Sequence, residues 1–121
     1  MKNINLGTPS LGSKEIIAVG RVLKSGNLAQ GKKVMAFEQE FSKLVEGRPC
    51  VAVNSGTSAL HLALLALEIG PGDEVIVPSF TFAASANAVA LTGAKPVFID
   101  VEQETFNLDP TLILSKLTIK T

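Results

Sequence analysis

The 121 residues are 46% hydrophobic and 18% charged, and the formal net charge is zero. That balance excludes a disordered chain and leaves no electrostatic footprint for nucleic acid or an acidic membrane surface. The length allows at most one domain with a modest core.

The first residues, "MKNINLGTPSLGSKE", contain no apolar h-region, so no secretory leader is expected. Ser13 can cap a helix over residues 14–24, where Ile16, Ile17, Val19, Val22 and Leu23 keep helical spacing and Ser25-Gly26 supplies the stop. "GNLAQG", residues 26–31, is a loop with a glycine at each end. A second helix is expected over residues 32–46. Its inner stripe is Val34, Phe37, Phe41, Leu44 and Val45, with Lys33, Glu40 and Lys43 on the outer face.

After "EGRP" the pattern changes. Residues 50–53, 74–77 and 96–99 are short β-rich runs of nearly continuous apolar character, as in strands covered on both faces of a parallel sheet. Helical segments at 57–69 and 83–91 separate them, and "GPGD" at 70–73 closes the first of these. Residues 50–100 therefore read β-α-β-α-β with right-handed crossovers. A last helix is expected over residues 110–117. Three parallel strands would leave bare edges, and a further strand is due where the sequence stops, so a fragment of a larger protein is expected. The single Cys50 reads as a small buried residue and fits a reducing, cytoplasmic setting. The longest apolar run, residues 59–67, is far too short to span a bilayer.

The chemistry concentrates in "NSGTS", residues 54–58, between a strand and a helix. The first amides of a helix lack intrahelical partners and carry about half a positive charge. Gly56 allows close approach to the backbone, and Thr57 and Ser58 add hydroxyl donors, so a phosphate could dock without a lysine. The segment is neither a Walker A loop nor GxGxxG. Serine and threonine also serve as plain helix caps, and the residues alone leave both readings open. In "VPSFTFAASANAV", residues 77–89, two phenylalanines bracket a threonine; Phe80 is assigned to the core, and a ring here could lie over the same ligand. His61 is read as a buried, hydrogen-bonded histidine and Lys95 as a solvated strand-end lysine. Lys116 and Lys120 are read as surface residues, and Asp73 and Glu74 are expected to face solvent. No metal-ligand spacing and no Ser/His/Asp arrangement is present.

The long stretch "NSGTSALHLALLALEIGPGDEVIVPSFTFAASANAVALTGAKPVFIDVEQETFNLDP", together with "LKSGNLAQGKKVMAFEQEF" before it, resembles the DegT/DnrJ/EryC1/StrS family of sugar aminotransferases of fold type I. The resemblance covers nearly the whole chain. It implies an α/β fold, with an N-terminal helical segment at residues 1–48 and, at 49–121, the start of the larger cofactor-binding domain of a mainly parallel sheet. It implies pyridoxal 5′-phosphate as cofactor, with Gly56, Thr57 and Ser58 at its phosphate and Phe82 stacked on its pyridine ring. The loop at residues 26–31 matches a segment near the active site and dimer interface. The family moves an amino group from an amino-acid donor, usually glutamate, onto a keto sugar carried by a nucleotide, and its members are normally homodimers. Their products enter polysaccharide, O-antigen or antibiotic pathways.

The lysine that forms the Schiff base and the acid that faces the pyridinium nitrogen lie further along in that family, beyond Thr121. No residue here is assigned as catalytic, and the 121 residues alone are expected to be inactive. The alternatives are a sugar 3-dehydratase of the same family and a non-catalytic remnant that pairs with another subunit.

Overall fold

The computed structural model describes residues 7–121, so the opening of the stretch inspected for a leader lies outside the described residues. The described chain forms two compact units rather than one, the first reaching to Ala52 and the second comprising Val53–Thr121.

The first unit holds α1 (Ser13–Ser25) and α2 (Lys32–Leu44). Ser13 is not the cap of α1. Gly12 is, and Glu15 reaches back to accept from its N–H at 2.6 Å, a bond that lowers the Glu15 carboxyl below its ordinary range. Gly26, at φ 71°, ends α1 in the left-handed conformation that a glycine adopts most easily. In α2, Phe37 and Phe41 lie one turn apart with ring centroids 5.9 Å from each other, and Lys43 pairs with Glu40 at 2.6 Å on an exposed face. The stripe expected to point inward is largely open: Phe37 and Leu44 are exposed, as are Ile16 and Leu23 of α1.

The expected strand at residues 50–53 does not form. A strand needs a neighbour for its backbone groups, and here the Ala52 N–H goes instead to the Glu38 carboxylate at 2.8 Å. Cys50 is accordingly half-buried, off any strand, with its thiol on the Arg48 carbonyl.

The second unit runs α3 (Gly56–Ala66), β1 (Glu74–Pro78), α4 (Ala84–Leu91) and β2 (Lys95–Ile99). The two strands are parallel, with Glu74 opposite Lys95 and Pro78 opposite Ile99. The fold is thus a partial α/β fold in which α4 makes the crossover. Val77, Val89 and Ala94 are buried at its centre, with Leu64, Ile69, Val75 and Ala86 packed around them. These are short or branched side chains, suited to the narrow space between a strand pair and its helices.

The end of α3 differs from expectation. Residues 70–73 do not close the helix. Glu68 does, at φ 60°, with its N–H on the Leu65 carbonyl and the Ile69 N–H on the Leu64 carbonyl. This is a Schellman closure, sealed by Ile69 and Leu64 entering the same core. Residues 70–73 then form the turn into β1, with Gly72 at φ 102° and the Asp73 carboxylate accepting from the Gly70 N–H at 2.8 Å.

The expected last helix is two 3-10 turns, Pro110–Leu112 and Leu114–Lys116. Asp109 caps the first through the Thr111 N–H and hydroxyl. The backbone bonds that follow span three residues, not four: Ile113 to Pro110 and Lys116 to Ile113. The chain then returns to the start of β1, where the Glu74 N–H donates to the Lys120 carbonyl at 2.8 Å.

Candidate functional site

Topology decides where the "NSGTS" segment falls. A short turn joins α3 to β1, so the helix runs back along the strand that follows it. Its N-terminus therefore points toward the carboxyl edge of the sheet. The crossover places the N-terminus of α4 at that same edge, where open α/β sheets bind ligands.

Ser55 is the N-cap of α3, in extended backbone at φ −158°, and its Oγ accepts from the Ser58 N–H at 3.1 Å. The Ser58 hydroxyl donates to Asn54 Oδ1 at 2.7 Å. Among the described residues, the Gly56 and Thr57 N–H groups and the Thr57 hydroxyl have no partner. A Cβ built on Gly56 would meet nothing within 4 Å, so open space lies in front of that backbone.

These observations separate the three residues read from sequence. Gly56 and Thr57 offer free donors on the positive end of an eleven-residue helix. Ser58 has both of its protons committed, and its hydroxyl must turn from Asn54 before it can serve a ligand. The set fits a phosphate: neutral donors, a helix dipole and room for a tetrahedral group. Asn54, part of the polar run read from sequence but given no role of its own there, holds the Ser58 hydroxyl.

Just ahead of the N-cap Ala83, two residues before α4, lies Phe82. Its carbonyl accepts from the Ser85 N–H at 3.0 Å, starting the helix, while its ring is 81% exposed. A phenylalanine that bare presents a face to whatever docks beside it. Phe80 is not in the core as expected. It is 69% exposed, and its ring packs against Phe106 with centroids 5.7 Å apart and planes at 51°. The Ser79 hydroxyl donates to Asp100 Oδ1 at 3.2 Å, joining the carboxyl ends of β1 and β2.

The remaining candidates lie elsewhere. His61 is half-buried on α3, and its side chain has no hydrogen-bond partner among the described residues, unlike the buried, bonded histidine expected. Lys95 is solvated as expected, and Lys116 and Lys120 are exposed. Glu74 does not face solvent: its side chain is 13% exposed and accepts from Lys95 at 2.8 Å and from the Thr118 hydroxyl at 2.8 Å. Those bonds, Lys95 foremost, hold its carboxyl below the ordinary value. Asp73 is likewise half-buried over the Gly70 N–H. In the first unit, the loop at residues 26–31 lines an open cleft of about 710 Å³ with Arg21, Ser25 and Lys33.

Residues 9–121 match the DegT/DnrJ/EryC1/StrS aminotransferase family. The chain belongs to that family. It is 48% identical over 113 residues to the spore coat polysaccharide biosynthesis protein SpsC of Bacillus subtilis (strain 168), covering 93% of this chain and 29% of SpsC. Among solved structures it is similar to Spr1654 from Streptococcus pneumoniae in its PLP-form, with a TM-score of 0.92 and 39% identity, over 99% of this chain and 31% of that one. It also resembles the E. coli GDP-4-keto-6-deoxy-D-mannose-3-dehydratase with bound hydrated PLP, with a TM-score of 0.88 and 28% identity, over 100% of this chain and 33% of that one. The chain thus spans about a third of the length of these relatives or less. Among the described residues, no helix is long and apolar enough to cross a membrane.

Proposed function

We propose that this chain supplies the phosphate and ring-stacking part of a pyridoxal phosphate site, in a cytoplasmic, homodimeric enzyme that aminates a keto sugar nucleotide from an amino-acid donor. The observation that carries the reading is the pair of unpartnered amides at Gly56 and Thr57, at the carboxyl edge of a parallel strand pair in a chain of this family. When bound, the cofactor supplies an electron sink for moving the amino group.

The chain's own residues bind and orient. Gly56 and Thr57 donate to the phosphate, and the hydroxyl of Thr57 adds a third bond. Ser58 joins them once released from Asn54. Phe82 covers one face of the ring. None of the lysines of residues 1–121 holds the cofactor, and the acid at the pyridine nitrogen is not among these residues either, so the 121 residues alone bind without transferring. Polysaccharide assembly, named in SpsC, is the pathway we infer for the product.

A second reading, sugar 3-dehydration, rests on the match to the E. coli dehydratase along the whole chain. The identity of 39% to Spr1654, named as a sugar aminotransferase, against 28% to the dehydratase, favours amination.

Thr57→Val tests the site. It removes one charge-assisted hydrogen bond, worth about 1.5–3 kcal/mol, so affinity for pyridoxal phosphate should fall about tenfold or more. Affinity for pyridoxal, which lacks the phosphate, should not change. Equal losses for both ligands, or no loss, would contradict the assignment.

A further inference from the structure

The loop after β2 holds an expensive feature that the cofactor site does not require. Phe106 sits at φ +57°, in the left-handed region that bulky side chains rarely enter. The turn around it is well bonded: Phe106 N–H to the Glu102 carbonyl at 3.0 Å, Glu102 N–H to the Asn107 carbonyl at 2.9 Å, and an antiparallel bridge between Val101 and Leu108. Glycine or asparagine would hold this turn with less strain. The phenylalanine is not there for burial either, since it is 60% exposed. What its ring does contact is Phe80, two residues before Phe82.

The same loop is tied to that segment a second time. Asp100 Oδ1 accepts from the Val101 N–H at 2.8 Å and from the Ser79 hydroxyl, while the Ser79 N–H continues the ladder to the Ile99 carbonyl at 2.8 Å. On the far side of Phe80, the hydroxyls of Thr81 and Ser85 lie 2.9 Å apart, linking the segment to the first turn of α4. Residues 79–81 are thus anchored on both flanks, and Phe82 follows directly. Backbone strain of this kind clusters at functional sites.

We propose that Phe106 is a positioning residue: its ring clamps Phe80 and so fixes the segment that presents Phe82 as a stacking face. The inference rests on the assignment of Phe82 to the cofactor ring made above. Fixing Phe82 before the ligand arrives removes an ordering cost from binding.

The test uses protein labelled with 4-fluorophenylalanine, whose six phenylalanines give fluorine signals, with Phe82 assigned through Phe82→Leu. Phe106→Gly removes the ring while relieving the backbone, so the turn survives. It should shift or broaden the Phe82 signal without any ligand and weaken pyridoxal phosphate binding about two- to tenfold, the range an aromatic pair supplies. Phe106→Tyr should restore both. An unchanged Phe82 signal in Phe106→Gly overturns the clamp, whatever happens to the urea midpoint. A displaced Phe82 signal with unchanged affinity upholds the clamp and contradicts the cofactor role of Phe82.

Discussion

Gly93 lies between α4 and β2, at φ +85°, and a Cβ there would stand 2.9 Å from Pro71 Cγ and 3.3 Å from its Cδ. Gly93→Ala therefore incurs two separate costs. The left-handed backbone costs an alanine about 1–2 kcal/mol. The contact with a proline ring, which has no flexible end to swing aside, adds about 1–3 kcal/mol of overpacking. Together these predict about 2–5 kcal/mol of destabilisation. Urea denaturation followed by far-ultraviolet circular dichroism is the suitable assay, since the chain has no tryptophan or tyrosine to report by fluorescence. Pro71→Ala in the same background separates the costs: it should return the overpacking part and leave the backbone part. A loss below about 0.5 kcal/mol in Gly93→Ala, within the range of ordinary surface substitutions, would refute the geometry of the crossover. That crossover sets where α4 begins and hence where Phe82 stands.

Glu68→Gly should stabilise the protein by about 1 kcal/mol, because glycine takes the left-handed closure of α3 without the Cβ penalty; an unchanged urea midpoint would contradict the Schellman assignment. The Glu74 carboxyl, held down by Lys95 and Thr118, contributes stability that is full above its ordinary value of 4.5 and lost as pH falls through the lower folded value. Glu15 and Asp109 share that direction, so the comparison needed is wild type against Glu74→Gln. Wild type should be the more stable at neutral pH and the gap should close in acid, whereas a gap independent of pH would contradict the linkage.

What the sequence revealed and what it hid divide along physical lines. The helices of the first unit, α4 and both strands follow from local pattern, since their punctuation is conventional: Gly26 after α1, Gly93 before β2. The closure of α3 was hidden because a glutamate occupies a position that usually advertises itself with glycine. Residues 50–53 have strand composition, but a strand is a non-local object, and Glu38 takes the amide that a ladder would need. The 110–117 segment begins with a proper cap, yet the β-branched Thr111 and Ile113 lower its helical preference, and it settles into 3-10 turns. At the site, the donor-rich segment was legible as a motif. The exposure of Phe80 was not, because it depends on three-dimensional neighbours; the commitment of Ser58 to Asn54 is a contact four residues apart, fixed by the geometry of the cap rather than by composition.

If the N-terminus of α3 holds the phosphate of the cofactor, its first amides must respond to that phosphate. The decisive experiment follows the backbone amides of the isotope-labelled chain by NMR while pyridoxal phosphate, and separately pyridoxal, is added. Saturable shifts at Gly56 and Thr57 with pyridoxal phosphate and not with pyridoxal are the predicted result. Shifts elsewhere that leave those two amides unmoved would contradict it.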